Sequence, residues 1–150
     1  MQITQSGEIQ RTELPGMLAT LCSYESLFGP NHPQTLNLAM QLGLALWRHG
    51  ELDSARRMLE GCIRSLDWIL GRDHDSRVQI LNALRDILML QGEASRAAAI
   101  QAELLDCLTR RLGAHHPDAE MVNNQLAAML LITEEANRTL VDCPSHFVTN

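Results

Sequence analysis

Phe28-Gly29-Pro30-Asn31-His32-Pro33, Leu70-Gly71-Arg72-Asp73-His74-Asp75 and Leu112-Gly113-Ala114-His115-His116-Pro117 are three copies of one stretch. Their glycines and their His32, His74 and His116 recur every 42 residues without drift. A fixed period of this length marks a repeat architecture, in which each unit leaves an apolar face for its neighbour to cover. Each glycine is placed to end a helix in a left-handed conformation. Each His-Pro or His-Asp step is placed to start the next helix, where proline's missing N–H costs nothing.

Between the copies the apolar residues follow a 3.6-residue period. The pattern predicts a leading helix over 14–28, after a polar, flexible N-terminal tail over 1–13. The first full repeat, 29–70, holds a helix A from Pro33 to about His49, stopped by Gly50. Its helix B, from near Asp53, carries the stripe Ala55, Met58, Leu59, Cys62, Ile63 and Leu66. The second repeat, 71–112, copies this plan and stops its helix A at Gly92. The third, 113–143, has a helix A from Pro117 to about Thr133. Glu134 stands where the turn glycine should be, and Pro144 closes a helix B of only two turns starting at Asn137. Asp53, Ser95 and Asn137 are spaced by 42 and are residue types that cap helix N-termini. The pattern thus predicts a truncated third pair, followed by a C-terminal tail over 144–150.

Composition bounds the function. The chain has 150 residues, 45% of them apolar, which suits one domain with a packed core. Its five aromatic residues are Tyr24, Phe28, Trp47, Trp68 and Phe147. The bulk of the apolar mass is Leu, Ala, Ile and Met, which favours helix. All twelve basic residues are arginine, and the net charge is −6. Without lysine there is no Schiff-base residue and no phosphate-binding P-loop. Dispersed arginines on an acidic chain disfavour non-specific nucleic-acid or membrane-surface binding. Cys22, Cys62, Cys107 and Cys143 form no C-x-x-C pair, and three of them fall on apolar helical positions. The N-terminus lacks the basic and apolar regions of a signal peptide, and the longest apolar run is too short to span a bilayer. A cytoplasmic protein with reduced thiols is expected.

Leu42, Gly43, Leu46, Gly50, Ala55, Leu59 and Cys62 resemble the large, small, turn and small positions of the tetratricopeptide repeat. The usual repeat has 34 residues. The longer period and the Leu/Phe-Gly-x-x-His-Pro turn are similar to the kinesin light chain subclass, as is Asn123-Asn124-Gln125-Leu126-Ala127. The resemblance covers about residues 14 to 143. It implies an all-α, right-handed superhelix of antiparallel helix pairs, an alpha-alpha solenoid. Arg85 and Gln101 depart from the pattern, standing where small and large apolar residues are usual, which predicts looser packing of the second pair.

The resemblance also implies where such a domain works. In this family the A helices line a concave groove that binds peptides or partner segments. Carried onto this chain, the groove positions are Asn37, Met40, Leu44, Trp47 and Arg48 in the first repeat. They are Gln79, Asn82, Asp86 and Met89 in the second, and Met121, Asn124 and Leu131 in the third. Amide side chains donate and accept at once and can clamp a peptide backbone. Met and Trp supply adaptable apolar contacts, and Arg48 would select an acidic group.

The histidines invite a metal reading, but the three periodic ones lie in three separate turns, and no zinc-type spacing is present. Turn packing and helix capping account for them. No nucleophile stands in a recognisable catalytic motif. The expected function is therefore a non-catalytic protein-protein interaction module, with no cofactor and no metal. The alternative is a self-associating homodimer, in which a second chain covers Val122, Met129 and Leu130 on the truncated repeat.

Overall fold

The computed structural model describes residues 10–141. A short 3-10 turn, Arg11–Glu13, leads into α1 (Leu14–Phe28). There follow α2 (Pro33–Arg48), α3 (Leu52–Leu70), α4 (Asp75–Leu90), α5 (Ala94–Leu112) and α6 (Pro117–Val141). No strand occurs among the described residues. Helices α2 and α3 form one pair, and α4 and α5 the next. The pairs stack through contacts of α3 and α2 with α4, while α1 and α6 close the two ends on α2 and α5. The architecture is an alpha-alpha solenoid of helix pairs.

The three marker stretches build the turns between pairs. Gly29, Gly71 and Gly113 have φ of 89°, 80° and 95°, and each N–H bonds back to the last helical turn. Their ψ values of 161°, 180° and 156° are extended rather than left-handed helical. This region is essentially closed to other residues, so the demand for glycine is stronger than a left-handed cap would impose. The periodic histidines then cap the next helix. Nδ1 of His32, His74 and His116 accepts the backbone N–H of Gln34, Arg77 and Asp118 at 3.3, 3.1 and 3.2 Å. The His32 ring also stacks on Phe28, with centroids 4.9 Å apart.

The turns within pairs are Schellman motifs. The Gly50 N–H bonds Trp47 O and the Glu51 N–H bonds Leu46 O; Gly92 and Glu93 repeat this on Met89 and Leu88. The B helices start immediately afterwards, at Leu52 and Ala94, with Glu51 and Glu93 as the N-cap residues. Asp53 and Ser95 therefore lie inside the first turn and do not cap. Because the Schellman turn already bonds the backbone N–H of the residue after the glycine, the helix begins before the expected caps are reached.

The third repeat departs most. The helix runs unbroken from Pro117 to Val141, so no turn forms at Glu134 and Asn137 is helical. The turns at Gly50 and Gly92 require φ of 84° and 77°, which glutamate adopts only with strain. Glu134, Glu135 and Ala136 are good helix formers, and continuing the helix satisfies their backbone groups. The expected stop at Pro144 lies outside the described residues, as do Cys143 and most of both expected tails. Val122 is also covered: it is buried with Ala119 against Leu81, Leu104 and Leu108. Leu130 is exposed and Met129 half-buried.

Packing in the first pair depends on close approach. A Cβ on Gly43 would stand 2.8 Å from Leu59 Cδ2, so only glycine lets α2 and α3 meet there. In the second pair the counterparts are Arg85 and Gln101, and the apolar contact is replaced by hydrogen bonds. Gln101 is fully buried; its Oε1 accepts from Arg85 Nη1 at 3.1 Å. Its Nε2 donates to Val122 O at 3.2 Å and Gln125 Oε1 at 3.0 Å. One amide thus ties α4, α5 and α6 together with its donors and acceptor occupied.

Candidate functional site

The groove residues fall on one stripe of each A helix. Asn37, Met40, Leu44 and Trp47 are spaced three, four and three apart, which keeps them on one face of α2. Gln79, Asn82, Asp86 and Met89 repeat the spacing on α4, and Met121, Asn124 and Leu131 on α6. None of the twelve residues is buried. Asn37, Arg48, Gln79, Met89, Met121, Asn124 and Leu131 are exposed. Asn82 and Asp86 are half-buried, while Met40, Leu44 and Trp47 are half-buried against the main core.

Helices α2 and α4 are in direct contact, which brings their two stripes side by side. Helix α6 packs on α5 and makes no comparable approach to α4 among the described residues. Met121, Asn124 and Leu131 therefore stand apart from the other nine.

The electrostatics of the stripe are simple. Arg85 Nε and Nη2 donate to Asp86 Oδ1 at 2.9 and 2.8 Å, so the Asp86 charge is largely neutralised by its neighbour. Arg48 makes no ion pair or hydrogen bond among the described residues and remains an open cation. Beside Asn37 and Met40 lies a pocket of about 160 Å³, completed by Leu36, Leu66, Ile69 and Leu70. The last turn of α3 was not expected at this surface. It arrives because the 19-residue α3 outruns the 16-residue α2 and delivers its C-terminal turn beside the start of α2. The signal lay in the longer period, which adds turns whose apolar residues have no partner within the pair. The same edge carries Trp68, 88% exposed, with Leu27 and Phe28 at the matching end of α1.

An ionic cluster lies off the stripe. Arg77, 3% exposed, donates through Nε to both Asp67 oxygens at 3.0 and 3.2 Å and through Nη2 to Glu103 at 3.1 Å. Burial opposes its charge, and the Asp67 and Glu103 carboxylates more than compensate, so its pKa is raised. Asp67 also takes the Nε2 side of His74 at 3.2 Å, which leaves Nδ1 free to accept the Arg77 N–H. These groups join α3, α4 and α5. No group of three or more His, Cys, Asp or Glu able to hold a metal occurs among the described residues. No helix among them is long and apolar enough to cross a membrane.

Residues 35–76 match the family model described as tetratricopeptide repeat, a stretch one sequence period long that runs from the start of α2 to the start of α4. None of the curated proteins compared with the chain matches it.

Proposed function

We propose that this chain is a non-catalytic interaction module whose α2–α4 surface binds an extended peptide or partner segment. Tetratricopeptide repeats mediate protein–protein interaction, and the matched residues contain all but the first two residues of α2 and the whole of α3. The observation that carries the reading is the pairing of two amide-bearing stripes on helices in direct contact. Asn37, Gln79 and Asn82 offer donors and acceptors near the starts of α2 and α4, with the apolar Met40 one turn on from Asn37 and Met89 at the far end of α4. Arg48 at one end favours an acidic residue on the ligand. Met121, Asn124 and Leu131 extend the surface where the ligand reaches α6. The 42-residue period and the Gly-x-x-His turn support placing the repeats in the kinesin light chain-like subclass. Cytoplasmic location fits this reading.

A random peptide display library selected on the immobilised chain tests it. Selected peptides should lose at least about fivefold in affinity against the Asn37→Ala/Asn82→Ala variant, with helicity unchanged, as expected for two exposed hydrogen-bonding groups. Peptides that bind the variant as tightly as the parent would remove the groove from the interaction.

A second reading rests on α6. Leu130, Leu131 and Ile132 are exposed in sequence on a helix that no following helix covers among the described residues. A second chain laid on this end would make a homodimer. Light scattering over a dilution series tests it, and a monomer at every concentration dismisses it.

A further inference from the structure

Two cavities adjoin in the channel between α1 and α3, on the side of α2 away from the amide stripe. The larger, about 740 Å³, has apolar walls of Leu14, Leu18, Leu42, Leu46 and Met58. The smaller, about 300 Å³, lies over Thr35, Gly61 and Cys62 between Glu25 and Arg57. Arg57 and Met58 line both, so the two lie next to each other along α3. Volumes of this size are those of small-molecule sites.

The repeat supplies an internal comparison. The same channel recurs between α3 and α5, where Leu84, Leu88 and Ile100 take the places of Leu42, Leu46 and Met58. There the chain's own charges bridge it: Arg77 joins Asp67 to Glu103, and Arg56 joins Glu60 to Glu93. In the first channel the counterpart of Arg77 is Thr35, and that of Glu103 is Gly61. Those of Arg56 and Glu60 are Leu14 and Leu18. The Arg77-type bridge is gone, and leucines stand where Arg56 and Glu60 stood; at the rim Glu51, the counterpart of Glu93, is paired instead with Arg11.

Three observations point to an absent group in this space. Thr35 is 1% exposed and its Oγ1 has no hydrogen-bond partner. A Cβ built on Gly61 meets nothing within 4 Å, so the place held by the Glu103 side chain in the next repeat is open. Arg57 makes no ion pair among the described residues, whereas Arg11 at the rim is already paired with Glu51.

We propose that the α1–α3 channel binds a long-chain monocarboxylate. Its carboxylate lies over Gly61, accepting from the Arg57 guanidinium and the Thr35 hydroxyl, where the next repeat uses its own glutamate. Its alkyl chain fills the larger cavity. Glu25, exposed on the facing wall, favours a head group of one negative charge over a phosphate of nearly two. A peptide fits less well, because its backbone groups would lie unpaired against leucine and methionine.

Calorimetric titration of the full chain with decanoate, with 1-decanol as the neutral control, tests the proposal. Decanoate should bind one to one, and Arg57→Gln should weaken it about tenfold or more, the usual effect of losing a charged hydrogen bond. Decanol should bind the parent and Arg57→Gln alike. Gly61→Leu should abolish decanoate binding while keeping an equal or higher melting temperature, since it fills open space and improves helix propensity. If that variant melts early, Thr35→Val, of the same shape but without the hydroxyl, should still bind decanoate more weakly than the parent. Absence of decanoate binding below about 1 mM, a weak-affinity limit, or binding unchanged in Gly61→Leu, would overturn the proposal. So would a display-selected peptide that loses binding in Gly61→Leu while decanoate never binds.

Discussion

Removing the Asp67 carboxylate should destabilise the chain far more than removing the arginine it holds. The Arg77 side chain is 4% exposed, while Asp67 and Glu103 are 20% and 52% exposed. In Asp67→Ala the guanidinium stays buried and keeps only Glu103. Breaking a buried ion pair from one side costs about 3–5 kcal/mol. The surviving partner holds the cost to the lower end, about 3 kcal/mol, a large share of the roughly 5–15 kcal/mol that stabilises a typical domain. In Arg77→Met the buried charge is gone, the aliphatic stem is replaced, and both carboxylates reach water. That change should cost about 1 kcal/mol or less. The double variant should resemble Arg77→Met, which gives a coupling as large as the Asp67→Ala cost, about 3 kcal/mol.

Urea unfolding of the four proteins measures these terms. Asp67→Asn, which retains an acceptor for His74, separates lost charge from a loosened cap, and should fall close to Asp67→Ala. Added salt should leave the gap largely intact, because buried pairs are weakly screened. Equal losses in Asp67→Ala and Arg77→Met, or additive losses in the double variant, would refute the reasoning.

Gly92→Ala should destabilise by about 1–2 kcal/mol because its φ of 77° is strained for any side chain, whereas Gly61→Ala should stabilise by up to about 1 kcal/mol; thermal melts compare the two. Cys22 is exposed and should react at once with a thiol reagent near neutral pH. Burial pushes the Cys62 thiol up to about 11, so in a Cys143→Ser background it should react only on unfolding. The stability linked to that thiol is full below its ordinary value of 9.0 and is lost as pH rises through about 11. Hydrogen bonds from Arg56, then Arg96, hold the Glu93 carboxyl below its ordinary 4.5. Its contribution is full above that value and is lost as pH falls through the lowered pKa. The melting-temperature gap between the parent and Glu93→Gln should therefore be open at neutral pH and should narrow as the pH is taken progressively below 4.5.

Much of the fold was legible because its signals are local. A positive φ at Gly29, Gly71 and Gly113, and a ring nitrogen at His32, His74 and His116 that accepts an N–H two or three residues on, need no distant partner. The amphipathic stripes of α3 and α5 declared their buried faces for the same reason. The candidate groove was legible only as helix faces: spacing put Asn37 with Met40 and Gln79 with Asn82. It could not say that α2 and α4 touch while α6 stays on α5. Asp53 and Ser95 misled because a capping residue type is effective only where the preceding turn leaves an N–H unpaired.

By itself the sequence determined the first five helices, their order and the turns at the five positive-φ glycines, since helix periodicity and capping act within a few residues; it did not determine the third repeat, where α6 runs through the expected turn at Glu134. Tertiary structure decided what the polar residues do. Arg77 is of a charged type that rarely lies inside, and Gln101 stands where a large apolar residue is usual, yet both are buried with their polar groups paired, because their partners arrive from helices 10 to 26 residues away. It also decided the channels. Arg77 and Thr35 are one period apart, but only packing shows that one bridges two helices and the other leaves a hydroxyl unpaired beneath an open cavity.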